Sequence, residues 1–207
     1  MSCAAFLARF CRDQRGSAAE FALVLPLIVL FLVGIIDAGR YAYDFNRGEK
    51  ASQVGARFAV VTDPLVQELA TYSFSGRTVG GVQLGQGDRI PVDALGTISC
   101  TSTECECISG FCLDDVPLTV NSNAFDKLAE RIQAFWPDVA DEDITVEYTG
   151  SGLGFAGNPN GMDVSPFVTV RLTNMEFTSI LLFGSTVDFP GFDYTLTMED
   201  GAGTVSN

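Results

Sequence analysis

The sequence predicts an α+β protein. A long N-terminal transmembrane and amphipathic helix leads into a small domain in which one helix packs on an antiparallel sheet. Three observations carry this. An apolar run near the N-terminus passes without a break into a helical stripe. A single amphipathic segment with soluble character lies near residue 130. Three short segments that alternate every second residue follow it.

The apolar run is Phe21–Ile36, 16 residues without a charge. Ahead of it, residues 1–16 carry Arg9, Arg12 and Arg15 against Asp13. A secretory signal peptide has a shorter core and a small-residue cleavage site directly after it, and neither is found here. Beyond the run, apolar or small residues recur at Ala38, Tyr41, Ala42, Phe45, Gly48, Ala51, Gly55, Phe58 and Ala59. Steps of three and four are helical. The helix is expected to end near Asp63-Pro64, because a proline disfavours helix at the residue before it. Ala18 to Val61 then measures roughly 65 Å at about 1.5 Å per residue. Pro26 falls inside the membrane helix, where such kinks are tolerated. The basic leader keeps the N-terminus cytoplasmic by the positive-inside rule and places the C-terminal domain outside.

Charge and cysteines agree with that topology. Formal net charge is −14, and residues 62–207 hold five basic against 21 acidic side chains. Such a domain repels nucleic acid and anionic lipid. Cys3 and Cys11 precede the apolar run, whereas Cys100, Cys105, Cys107 and Cys112 cluster far beyond it. An even cluster in a loop fits disulfides in an oxidising compartment. A four-thiolate zinc site fits less well, given a C-x-C pair flanked by Glu104, Glu106, Asp114 and Asp115. Three pairings are open, with Cys105–Cys107 the least favourable because one intervening residue strains the ring.

The domain after the helix divides as follows. Residues 64–116 are rich in glycine and turns, with short strands expected at Arg89–Val92 and Leu95–Ser99 and a stapled cysteine loop at 100–112. The stretch VNSNAFDKLAERIQAFWPDV is a helix, with Asn123 as N-cap, Asp126 in the first turn, and Phe125, Leu128, Ala129, Ile132 and Phe135 on one face. Ile144–Tyr148, Phe167–Thr173 and Tyr194–Met198 read as strands. The 18 residues Thr149–Pro166, with five glycines, are expected to form a mobile lobe. The stretch MEFTSILLFG reads as a short helix or an apolar loop packing near the membrane.

Little in the chain points to catalysis. There is no histidine, which removes the commonest general base and metal ligand. No lysine is placed as an obvious base, and Gly150, Gly152 and Gly154 do not precede a helix. Asp138, Asp141, Glu142 and Asp143 are an acidic turn without the spacing of a calcium loop. No enzyme activity, metal site or cofactor is expected.

The stretch RGSAAEFALVLPLIVLFLVGIIDAGRYAYDFNRGEKASQVGARFAV resembles two nested patterns. Arg15-Gly16 followed by Glu20-Phe21 and an apolar helix looks like the class III signal of prepilin-type proteins. Ala22-Leu23-Val24-Leu25-Pro26, Gly39-Arg40 and Ala56-Arg57-Phe58-Ala59-Val60 are similar to the N-terminal signature of TadE-like pseudopilins of the tight-adherence (Flp pilus) system. That family places its glutamate fifth after the glycine, and here it is fourth. The resemblance implies a pilin-like fold with a leader at 1–16, a helix at 17–62 and a periplasmic domain at 63–207. It implies cleavage between Gly16 and Ser17 by a prepilin peptidase, and subunit contacts through Glu20 and Phe21. It also implies a single-pass inner-membrane protein of a kind that can be incorporated in a surface pilus. Its partners would be other Tad pilins and pseudopilins, the inner-membrane assembly platform and membrane lipid. The alternative reading is a membrane-tethered periplasmic binding module, adhesin-like or calcium-binding, outside any filament.

Overall fold

The computed structural model describes residues 15–113 and 116–198, with side chains from Glu20 onward. Arg9, Arg12, Cys3 and Cys11 lie outside the described residues. The first element, α1, is Arg15–Ala59, 45 residues that stay helical through Pro26. Its apolar half is exposed from Phe21 to Leu32. Its later half buries Gly48, Ala51, Ser52, Gly55, Ala56 and Ala59. The expected stripe is corrected near its start. Ala38 and Ala42 face outward, and the buried position there is Asp37. A count of apolar residues discards an aspartate, so the stripe read from sequence begins one residue late.

The chain groups into two compact units. One comprises the chain up to Tyr43 together with Phe177–Val187, and the other comprises Asp44–Glu176 with the chain from Asp188 onward.

The larger unit is built on a five-stranded antiparallel sheet. A two-stranded hairpin, β1 (Thr78–Val79) and β2 (Val82–Gln83), precedes it. Its turn is Gly80-Gly81, both at positive φ, as a two-residue hairpin connection of this kind requires. The sheet strands are β3 (Thr97–Cys100), β4 (Cys105–Ser109), β5 (Ile144–Thr149), β6 (Phe167–Leu172) and β9 (Phe192–Thr197), in the order β4-β3-β5-β6-β9. The alternation read from sequence is the burial pattern. Ile144, Val146 and Tyr148 point into the core, as do Val168, Val170 and Leu172. Helix α2 is Ser122–Gln133 and buries Phe125, Leu128, Ala129 and Ile132. Its N-cap is Asn121 rather than Asn123: the Asn121 Oδ1 accepts the Ala124 N–H at 3.2 Å. Phe135 lies beyond the end of the helix and is exposed, while Trp136 is buried instead.

The small residues of α1 have a packing reason. A Cβ at Gly48 would come within 2.5 Å of the Phe192 ring, and one at Gly55 within 2.9 Å of Ile132. The helix exit is fastened to the sheet by Tyr148, whose buried hydroxyl accepts the Leu65 N–H at 2.9 Å.

Three expectations give way here. Arg89–Val92 is not a strand, because Pro91 has no N–H to give a ladder. Arg89 makes a single bridge to Phe155, and a 3₁₀ turn follows at Val92–Ala94. The glycine-rich connection after β5 is a folded loop gathered on Asp163. That buried carboxylate accepts the N–H groups of Phe74, Gly157 and Asn158, each at 2.7 Å, and the Ser73 hydroxyl at 3.2 Å. The cysteine loop is itself part of the sheet. Cys100–Cys105 joins β3 to the edge strand β4, and Cys107–Cys112 ties β4 to the segment after it.

The smaller unit holds the first part of α1 and the end of a hairpin whose strands are β7 (Glu176–Thr178) and β8 (Thr186–Asp188). The MEFTSILLFG stretch is thus a strand and an apolar hairpin tip.

Candidate functional site

Gly16 and Ser17 lie in the first turns of α1, and Glu20 and Phe21 are exposed on the same helix. They head the one helix among the described residues that is long and apolar enough to cross a membrane. An apolar helix with a single carboxylate at its head presents lipid or protein partners with one polar feature, since a charge at that position is costly unless it snorkels or pairs.

The other end of the apolar run is organised by Asp37. Its Oδ2 accepts the Ser179 hydroxyl and the Leu181 N–H, each at 2.7 Å. Its Oδ1 accepts from the Arg40 guanidinium at 3.1 Å. Arg40 also lies 5.2 Å from the Phe177 ring centroid, and Tyr41 meets Phe177 edge to face at 5.5 Å. Positioning these groups takes one helical turn and one strand. Asp37, Arg40 and Tyr41 share a face at steps of three and four, while Phe177 and Ser179 point to one side of β7 and its continuation. The result is a polar and aromatic cluster at the C-terminal limit of the apolar run.

Sequence reasoning missed Asp37 and Ser179 as a pair. The available signal was an uncharged stretch, Phe177–Val187, closed by Glu176 and Asp188, which mirrors the uncharged run closed by Glu20 and Asp37.

The match to known families falls on this helix. Residues 16–57 match the family described as TadE-like protein. The TadE-like segment therefore includes Gly16, Glu20, the apolar run and Asp37, and it ends within two residues of the end of α1. No curated protein and no solved structure matches the chain.

The four distal cysteines form disulfides, so none is a thiolate ligand. Among the described residues no group of three or more His, Cys, Asp or Glu is arranged to hold a metal ion. The acidic turn after α2 uses its carboxylates locally. Asp143 accepts from the Ala140 N–H and the Asn174 amide, and Asp141 accepts from the Gln133 amide.

Proposed function

We propose that the chain is a minor pilin or pseudopilin of a tight-adherence (Flp) type IV pilus system. It is held in the bacterial inner membrane by α1, with its α+β domain in the periplasm. The observation that carries this reading is the TadE-like match over residues 16–57, which spans the proposed processing site and the whole apolar run. The role is structural rather than enzymatic.

In this reading a prepilin peptidase cuts between Gly16 and Ser17 on the cytoplasmic side and leaves α1 in the mature protein. The cut frees a basic α-amine at Ser17, three residues before the Glu20 carboxylate. The carboxylate of one subunit meets the amine of its neighbour at the membrane edge, while small residues such as Ala22 and Gly34 let helices approach closely. A buried charge left without a partner is costly, so the pairing sets the axial register of the helix among other Tad pilins and the assembly platform. The two disulfides fit export to an oxidising compartment.

Intact-mass measurement on the membrane-extracted protein tests this. Loss of residues 1–16, two disulfides and co-purifying pilin subunits are expected. A full-length mass without pilin partners would overturn it in favour of a tethered binding module.

A further inference from the structure

We infer that the tip of the β7–β8 hairpin is a second membrane-inserting element, with Ile180–Phe183 immersed among lipid acyl chains beside α1. This rests on the reading that α1 spans a bilayer.

The first argument is position. The tip and α1 together form an apolar groove lined by Leu25, Pro26, Val29, Leu30 and Val33 on one side and Ile180–Phe183 on the other. Leu181 Cδ2 lies 3.7 Å from where a Cβ on Gly34 would sit. These helix residues are in the middle of the apolar run, not at its edge. The run between Glu20 and Asp37 is 16 residues, about 24 Å of helix, against a hydrocarbon core of about 30 Å. None of it is to spare. A segment that lines a groove with Leu25 to Val33 and approaches the helix at Gly34 enters the bilayer whenever those residues do.

The second argument is composition. Phe177–Val187 carries no charge, and Glu176 and Asp188 mark both points where the hairpin would meet the interface. Phe183 is 100% exposed, and Ile180 and Leu182 are more than half exposed. Such a patch is unusual on a face meeting water. Arg40, Tyr41 and Phe177 sit where an interfacial belt of aromatic and basic side chains is expected.

The third argument is backbone satisfaction, the strictest condition on non-helical chain at membrane depth. Ser179 N–H bonds to Ser185 O, Gly184 N–H to Ser179 O, Phe183 N–H to Ile180 O, and Ser185 N–H to Leu182 O. The Leu182 N–H bonds to the Ser179 hydroxyl. The Leu181 N–H bonds to Asp37, and the Ser185 hydroxyl turns back to Leu182 O. An ordinary surface turn leaves several of these donors to water. Here the N–H groups of Ser179 and of Leu181 through Ser185 are all taken within the protein, and Asp37 supplies an acceptor the loop lacks.

The test uses the full chain carrying Phe183→Trp, reconstituted in phosphatidylcholine–phosphatidylglycerol vesicles. Because Phe183 is fully exposed, the indole displaces no packed neighbour. The unsubstituted chain, with Trp136 as its single tryptophan, gives the baseline. Alkaline carbonate extraction reports separately whether the chain is integral to the membrane. The expected result is an integral protein whose added emission is blue-shifted and loses most of its intensity when the acyl chains are brominated. An integral protein whose added emission is quenched by aqueous iodide would overturn the inference and leave the anchor intact. So would blue-shifted emission that brominated lipid does not reach, which would mean that a second copy's helix covers the tip. Release by carbonate would overturn the anchor and the inference together.

Discussion

Asp37 Oδ2 receives the Ser179 hydroxyl and the Leu181 N–H at the same length, 2.7 Å, across 142 and 144 residues of sequence. One oxygen therefore fastens the hairpin tip to α1. Asp37→Ala should release the tip, at a cost of about 1–3 kcal/mol for the donors left unpaired. Faster hydrogen exchange at the Leu181 amide in detergent, with unchanged Trp136 emission from the sheet domain, is the expected signature. Protection equal to the unsubstituted chain would mean that packing alone holds the tip.

Gly48 predicts a steep response to one methyl group. A Cβ there meets the Phe192 ring at 2.5 Å, whereas at Gly39 nothing lies within 4 Å. Gly48→Ala should destabilise the sheet domain by about 1–3 kcal/mol through overpacking. Gly39→Ala should be tolerated or mildly stabilising, because alanine is the better helix former. Urea unfolding followed at Trp136 compares the two.

Asp163 is expected to decide whether the glycine-rich loop folds. Asp163→Ala removes the acceptor of three backbone N–H groups and a hydroxyl, with an expected loss of about 3 kcal/mol. Asp163→Asn keeps the shape but turns an NH₂ toward donors, so it should restore only part. Equal stability of all three proteins by urea unfolding would show that water replaces the carboxylate.

Tyr148 gives a pH dependence with a defined sign. Burial pushes its phenol well above the usual tyrosine value, and the hydrogen bond from Leu65 N–H only partly offsets this. The folded state thus holds the proton that the unfolded chain releases near pH 10. This stability is fully present below pH of about 10 and is lost as pH rises from there toward the folded-state value. Tyr148→Phe should flatten the decline while lowering stability at neutral pH, because Leu65 N–H loses its acceptor. Denaturant titrations from pH 7 to 11, with free thiols blocked, measure both effects.

Glu20→Gln tests the proposed subunit contact. Membrane insertion and the sheet domain should be unchanged, while recovery of partner pilins from detergent should fall. Equal recovery would mean that the carboxylate only snorkels to the interface.

The parts of this fold that were legible in sequence are those whose signal is local. β5, β6 and β9 alternate because one face is core and the other is not, and α2 shows its apolar face at helical steps. The TadE-like segment was readable because its order of residue types is long. What was missed depends on distant partners. Asn121 outranks Asn123 as cap because its own N–H is held by Leu65 O at 2.7 Å, a tertiary bond. From sequence β4 reads as a loop because its alternation is hidden by cysteines, and it stands as an edge strand only because β3 lies beside it. Asp37 looked like the end of an apolar run, since its two strongest partners come 142 and 144 residues later. The Gly80-Gly81 hairpin was the exception, a local signal overlooked among many glycines.

The disulfides pair consecutive cysteines, each at a separation of five residues. In the proposed export topology, the chain behind α1 presents Cys100 first, then Cys105, Cys107 and Cys112. In that order Cys100 meets its native partner Cys105 before either cysteine of the other ring has emerged. If that ring closes first, Cys107 and Cys112 are left as each other's partners, so vectorial oxidation favours the native connectivity. Each small ring contributes only about 2 kcal/mol in the chain-entropy account. The arrangement sacrifices the larger stabilisation of a long crosslink and gains ring closure between thiols that are close together in sequence.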